Sequence, residues 1–134
     1  MRIDGQCHCG FVTYEAEIDP DGLLICHCTD CQRLTGSPYR VTVRVPRADL
    51  TLTGETPKVY TKIAESGRER FLHFCPECGT PLFSSGTGEA AAFWGIRWGS
   101  INQRAALKPK RQIWCSSATD WFGETKALPG TPRE

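Results

Sequence analysis

Seven of the eight cysteines in this chain sit in three tight clusters, and their spacing restricts the possible folds more than any other feature. Cys7-His8-Cys9-Gly10 and Cys75-Pro76-Glu77-Cys78-Gly79 are pairs of the kind that form zinc knuckles. Between them, Cys26-His27-Cys28-Thr29-Asp30-Cys31 places three thiols within six residues. Cys-x-Cys and Cys-x-x-Cys bring two sulfurs within reach of one ion on a tight turn. A glycine after each pair suits a turn whose backbone amides point at the sulfurs. Two knuckles make a closed four-thiolate site, so Cys7, Cys9, Cys75 and Cys78 are expected to form a structural zinc centre. Cys26, Cys28 and Cys31 are then one ligand short, and zinc sites that keep a free position are the ones that do chemistry. A fourth ligand from His8, His27, His73 or Cys115 is the alternative that closes this second site. His27 alternates with its cysteine neighbours and is expected to point away from their sulfurs.

Eight cysteines could instead form a disulfide framework, and compartment decides between the two. Met1-Arg2-Ile3-Asp4-Gly5 runs into the first pair with no apolar stretch of signal-peptide type, and no apolar run is long enough to span a bilayer. The expectation is a cytoplasmic protein without a membrane partner, in which thiols stay reduced and bind metal. The formal net charge is +1. Seven thiolates holding two Zn²⁺ bring it to about −2. That value lacks the basic excess of a nucleic-acid binder, although Arg40, Arg44 and Arg47, with Lys108, Lys110 and Arg111, provide a possible basic face for an interaction module.

A chain of 134 residues supports one domain with a modest core, read here as residues 1–122 followed by an irregular tail over 123–134. Val12, Tyr14, Ala16 and Ile18 alternate with Thr13, Glu15 and Glu17, the pattern of a half-buried strand across Phe11–Ile18. Leu23–Ile25 reads as a short strand delivering the chain to the three-thiol loop. Thr29 or Asp30 can cap a single helical turn over Cys31–Leu34. Tyr39–Val45 alternates most clearly, with Arg40, Thr42 and Arg44 on one face. Further strands are expected at Asp49–Thr53, Lys58–Ile63, Arg70–Phe74, Pro81–Ser84, Ala91–Trp98 and Arg111–Ser116, with Ser66-Gly67 turning a hairpin. One or two helical turns are expected across Ser100–Leu107. Many short strands separated by turn residues indicate an all-β fold.

The three clusters in order, with Gln32-Arg33-Leu34-Thr35-Gly36 after the second and Thr80-Pro81-Leu82 after the third, resemble the glutathione-dependent formaldehyde-activating enzyme family, which includes the centromere protein V relatives. The stretch from Gly99-Ser100-Ile101 through Pro109 and Ile113 to Trp121 is similar to the family's closing segment, so the resemblance spans residues 3–122. It implies a zinc-stapled β-tent of stacked antiparallel sheets, related to the methionine-R-sulfoxide reductases. It also implies a structural zinc at Cys7, Cys9, Cys75 and Cys78 and a second zinc at Cys26, Cys28 and Cys31, the division that spacing alone indicates.

The expected activity is that of a carbon–sulfur lyase. Glutathione or a similar small thiol takes the free position at the three-Cys zinc, loses its proton and adds to formaldehyde or another small aldehyde. Gln32, Arg33 and Arg40 lie nearest that loop in sequence and are candidate substrate contacts. Trp94, Arg97 and Trp98 are candidates for a pocket wall, whereas Trp114 and Trp121 read as packing. Two alternatives compete: a non-catalytic zinc or thiol-carrier module, and a methionine-sulfoxide-reductase-like enzyme using Cys115. For Cys115 the simpler reading is a buried small hydrophobe.

Overall fold

The alternation of Val12, Tyr14, Ala16 and Ile18 puts four side chains on one face, and all four are buried in the computed structural model, which describes residues 1–134. Tyr14 and Ala16 lie in β2 (Thr13–Glu17) and Val12 and Ile18 flank it; β2 pairs antiparallel with β1 (Arg2–Gln6) on one side. On its other side β2 pairs with β5 (Leu50–Leu52), completing a three-stranded sheet. The larger sheet contains β3 (Leu23–Cys26), β4 (Arg40–Pro46), β6 (Lys58–Ile63), β7 (Glu69–Phe74), β8 (Pro81–Gly86), β9 (Phe93–Arg97) and β10 (Arg111–Ile113). Its strand order is β10-β3-β4-β9-β8-β7-β6. One helix, α1 (Thr29–Thr35), interrupts the β structure, so the expected all-β class holds. No helix is long and apolar enough to cross a membrane.

The two faces of the seven-stranded sheet have separate roles. Leu23, Val43, Ile96 and Phe83 face one another across successive ladders and are all buried. They share a core with Ile3, Tyr14, Ala16 and Leu50 of the smaller sheet, and the Tyr14 ring meets Phe83 edge-on with centroids 5.0 Å apart. Each such side chain contributes about 1.5–3 kcal/mol by leaving water. On the opposite face, Ile113, Cys26 and Arg40 form one row across β10, β3 and β4. Leu24, Thr42 and Arg97 form the next row, across β3, β4 and β9. That face carries the candidate site.

Four expectations change. β1 was not foreseen, because its inward positions are Ile3 and Gly5 and a glycine leaves no apolar mark. α1 has nearly two turns where one was expected, and Cys28 caps it rather than Thr29 or Asp30: the Cys28 sulfur accepts from the Cys31 amide at 3.3 Å. The helix stops at Gly36, which is left-handed with φ 63°. β9 begins only at Phe93, after a 3₁₀ segment over Gly88–Ala92. β10 ends at Ile113, because Trp114 turns left-handed and Cys115–Ser117 is a 3₁₀ turn. Every ladder is antiparallel except β10 on β3, which is parallel. Within the tail, residues Phe122–Ala127 form 3₁₀ turns, and the Phe122 ring packs on His27 with centroids 4.7 Å apart.

Candidate metal centres and the cavity between strands and helix

The two knuckles close on each other across the molecule. The ligand atoms of Cys7, Cys9, Cys75 and Cys78 all lie within 4.8 Å of one another. The Cys7–Cys9 and Cys9–Cys75 sulfurs are each 3.7 Å apart. An ideal tetrahedron with metal–sulfur bonds of about 2.3 Å has sulfur–sulfur edges of about 3.8 Å, so the four thiols fit zinc or an ion of its size. All eight cysteines are free of disulfides. Gly10 and Gly79 take φ of 81° and 79°, the left-handed angle each turn requires. Their turns aim backbone N–H groups at sulfur: Val12 at Cys7 at 3.3 Å, and Glu77 and Cys78 at Cys75 at 3.4 Å. Thr80 joins the two turns, accepting from the His8 amide at 3.0 Å and lying 3.2 Å from the Cys78 sulfur. Hydrogen bonding to Thr80 pulls the Cys78 thiol down to about 5, well into the range of a ready thiolate ligand.

The second cluster differs in number and in setting. Cys26 at the end of β3 and Cys28 and Cys31 around the start of α1 form a group of three, with ligand atoms within 4.8 Å of one another. No histidine or carboxylate completes a fourth corner at that distance. His27 is fully buried; its Nε2 lies 2.8 Å from Gln112 Oε1, and its ring packs against Tyr39 and Phe122, away from the sulfurs. His73 lies on the core face, 2.9 Å from Ser85 Oγ, and burial lowers its pKa to about 4. His8 and Cys115 are not part of the group. A hydrogen bond with Cys31 draws the Cys26 thiol down to about 5 and pushes Cys31 strongly up, the behaviour of sulfurs sharing protons where a cation would replace them.

These three thiols line a cavity of about 690 Å³, within the size range of small-molecule sites, about 300–1,000 Å³. The sheet supplies its floor: Arg40, Thr42, Arg97, Ser84 and Arg70 reach it from β4, β9, β8 and β7. Lys62 of β6 pairs with Asp30 of α1 at 2.8 Å and bridges the rim. Trp114 lines the cavity while staying half exposed, with φ 57°. A bulky residue rarely adopts that angle, at a cost of about 1–2 kcal/mol. Arg97 donates from Nη1 to Thr42 Oγ1 at 2.8 Å. Part of its surface is accessible, yet its charged end is enclosed enough that burial, and then repulsion from Arg40, lowers its pKa to about 9. Arg40 and Arg97 also wall two adjoining cavities of about 350 and 370 Å³.

Of the residues nominated from sequence, the structure brings Arg40 and Arg97 to the thiols and leaves the others elsewhere. Gln32 turns its amide inward, donating to the carbonyls of His27 and Ser117 at 2.9 and 3.0 Å. Arg33 is exposed and outside the lining. Trp98 donates from its indole to the carbonyls of Arg104 and Leu107 and packs on the core. Trp94 stacks against His73, with the Arg47 guanidinium 4.8 Å over its ring. Cys115 is exposed on a 3₁₀ turn, neither the buried hydrophobe nor the strand residue anticipated, and it lies outside the cavity. Lys62, Ser84 and Arg70 line the cavity without having been singled out from sequence, and Trp114, read there as packing, lines it too. Only the left-handed backbone marks Trp114, and sequence carries no sign of it.

Fold and site together define a β protein with two thiol clusters able to hold metal ions, one closed on itself and the other facing a basic cavity. The family model described as glutathione-dependent formaldehyde-activating enzyme matches residues 2–117, and the chain belongs to that family. A Rhodobacter sphaeroides protein of known crystal structure superposes with a TM-score of 0.62 at 18% identity, covering 82% of this chain and 99% of that one; the two share a fold.

Proposed function

We propose that this protein is a zinc-dependent carbon–sulfur lyase that adds glutathione to a small aldehyde at the three-cysteine centre. Cys7, Cys9, Cys75 and Cys78 would hold a structural zinc and Cys26, Cys28 and Cys31 a reactive one. The observation that carries this reading is a thiol trio, complete in itself at three, on the wall of a ligand-sized cavity lined by arginines. Zinc bound there supplies a Lewis-acidic position that accepts a soft thiol sulfur and lowers its pKa.

The side chains do the rest. Arg70 on the cavity floor and Lys62 at its rim can pair with the carboxylates of the glutathione arms. Arg40 and Arg97 bring positive charge next to the sulfurs, which favours a thiolate over a thiol in the pocket. As the carbon–sulfur bond forms, the aldehyde oxygen gains charge, and the guanidinium of Arg97 and the hydroxyls of Thr42 and Ser84 share the face on which that oxygen would lie. Trp114 and Ser117 wall the pocket and limit access of water. Holding both reactants in one orientation removes most of the entropic barrier to an addition that otherwise depends on chance encounter.

The test measures the rate at which glutathione and formaldehyde exchange with their S-hydroxymethyl adduct, by exchange NMR, with and without the zinc-loaded protein. Acceleration by the wild type, abolished in Cys28→Ser with the fold intact, supports the reading. Adduct binding without acceleration would make the protein a carrier and overturn the lyase assignment.

A further inference from the structure

Arg40 is 7% exposed and its Nε has no hydrogen-bond partner. None of the four ion pairs in the structure involves Arg40, Arg70 or Arg97. A buried guanidinium without a counter-charge is costly, and arginine's planar fork matches a carboxylate in two-point contact. Three thiolates around a zinc ion would carry one net negative charge, which offsets one of these guanidiniums and leaves two unmatched.

Position decides which anion belongs here. Arg40 lies directly across the ladder from Cys26, and Arg97 lies across from Thr42 on the next strand. In the strand order the two arginines stand one and two strands from the β3 thiol, and Arg70 on β7 stands four strands from it. In glutathione both carboxylates are separated from the sulfur by several bonds and an amide, and they suit Arg70, the lining guanidinium furthest from β3 in the strand order. A carboxylate on the carbon that sulfur attacks lies nearer the sulfurs than either of these. Formaldehyde has none, and its single oxygen engages at most one of the two guanidiniums.

We infer that Arg40 and Arg97 form a carboxylate subsite for the aldehyde partner, making the preferred electrophile a 2-oxo acid, an aldehyde with a carboxylate on the adjacent carbon. This rests on the reading of the three-cysteine centre as a thiol-addition site. In the step itself the sulfur electron pair forms a bond to the carbonyl carbon and the C=O pair moves onto oxygen. The oxygen then takes up the proton that the thiol released. Nothing is oxidised or reduced, and the product is a hemithioacetal with its carboxylate one carbon from sulfur. Two arginines in place of one give that carboxylate a donor for each oxygen and fix the carbonyl face presented to sulfur.

Two stable analogues isolate the charge. S-(carboxymethyl)glutathione has the carboxylate at this position, and S-(carbamoylmethyl)glutathione has the same shape with a neutral amide. Calorimetric titration of the zinc-loaded protein is expected to show the acid binding about tenfold or more tightly than the amide. Arg40→Met and Arg97→Met are each expected to erase that preference, weakening the acid by far more than the amide. Equal affinity for the two analogues in the wild type overturns the inference and leaves the thiol-addition reading standing. Variants that weaken both analogues equally overturn it as well, because the arginines would then serve glutathione's own carboxylates. If neither analogue binds, the inference falls together with the reading beneath it. The wild-type comparison needs no mutant, so it holds even if an arginine variant misfolds.

Discussion

The amide nitrogen of Gln32 donates to two carbonyls, those of His27 and Ser117, and so ties α1 to the middle of the three-cysteine cluster and to the turn after β10. Gln32→Ala leaves both acceptors short of a donor, at a cost of about 1–2 kcal/mol. Thermal unfolding should show a lowered Tm with the affinity for glutathione little changed. Arg33, one residue on, is exposed and outside the cavity, so Arg33→Ala should alter neither quantity. Gly95 is more constrained. A Cβ there would come within 2.7 Å of Ser84 Oγ and 2.8 Å of Thr42 Cγ2, both on the cavity floor. Gly95→Ala must displace one of them, and calorimetry should report weaker ligand binding even if the protein folds. Neighbours in sequence thus differ in role, whereas residues brought side by side by the ladder share one. Gln32 and Arg33 were nominated because they follow Cys31, and Arg70 and Lys62 were missed because they reach the pocket only through the order of strands.

Among the elements, the turn after β10 carries the one left-handed residue that is not glycine, Trp114. Trp114→Gly removes a backbone cost of about 1–2 kcal/mol and loses an indole that is half exposed. The variant should unfold at the same denaturant concentration as wild type or a higher one, and bind glutathione more weakly. Parallel loss of stability and binding would show instead that the indole is structural packing. Strands with apolar alternation, such as β2 and β4, were legible from sequence because one face of each must be buried. β1 was not, since Gly5 occupies an inward position. The length of α1 was hidden for a different reason. Its cap is a cysteine, a residue not usually read as a helix start, and it is recruited because the sulfur is already held at that turn.

For the whole molecule, the closed cluster connects the end of β1 to the end of β7, two sheets joined through four sulfurs. Metal binding there is folding free energy, because the unfolded chain has no such site. Cys78→Ser, or treatment with a strong chelator, should therefore unfold or aggregate the protein, visible as loss of near-ultraviolet circular dichroism. Cys28→Ser removes one of the three cavity thiols and should leave the sheets in place. Equal unfolding of both variants would remove the division between structural and reactive centres. The pairing of the knuckles was legible because sulfur spacing encodes metal geometry independently of the surrounding fold. The basic cavity was not, because all seven strands of the larger sheet contribute to it and no local stretch contains more than a fragment.

The parallel ladder between β3 and β10 bears on the order of assembly. β3 reaches its outer partner only after some eighty residues more have been made, so during synthesis that side of the strand stands open beside the thiols. A nascent chain that has emerged only through β9 can close its knuckle staple, yet its pocket has neither the Ile113 wall nor the Trp114 flap. Chain order therefore lets the four knuckle thiols meet before the chamber is complete, which waits for the last strand to slot in.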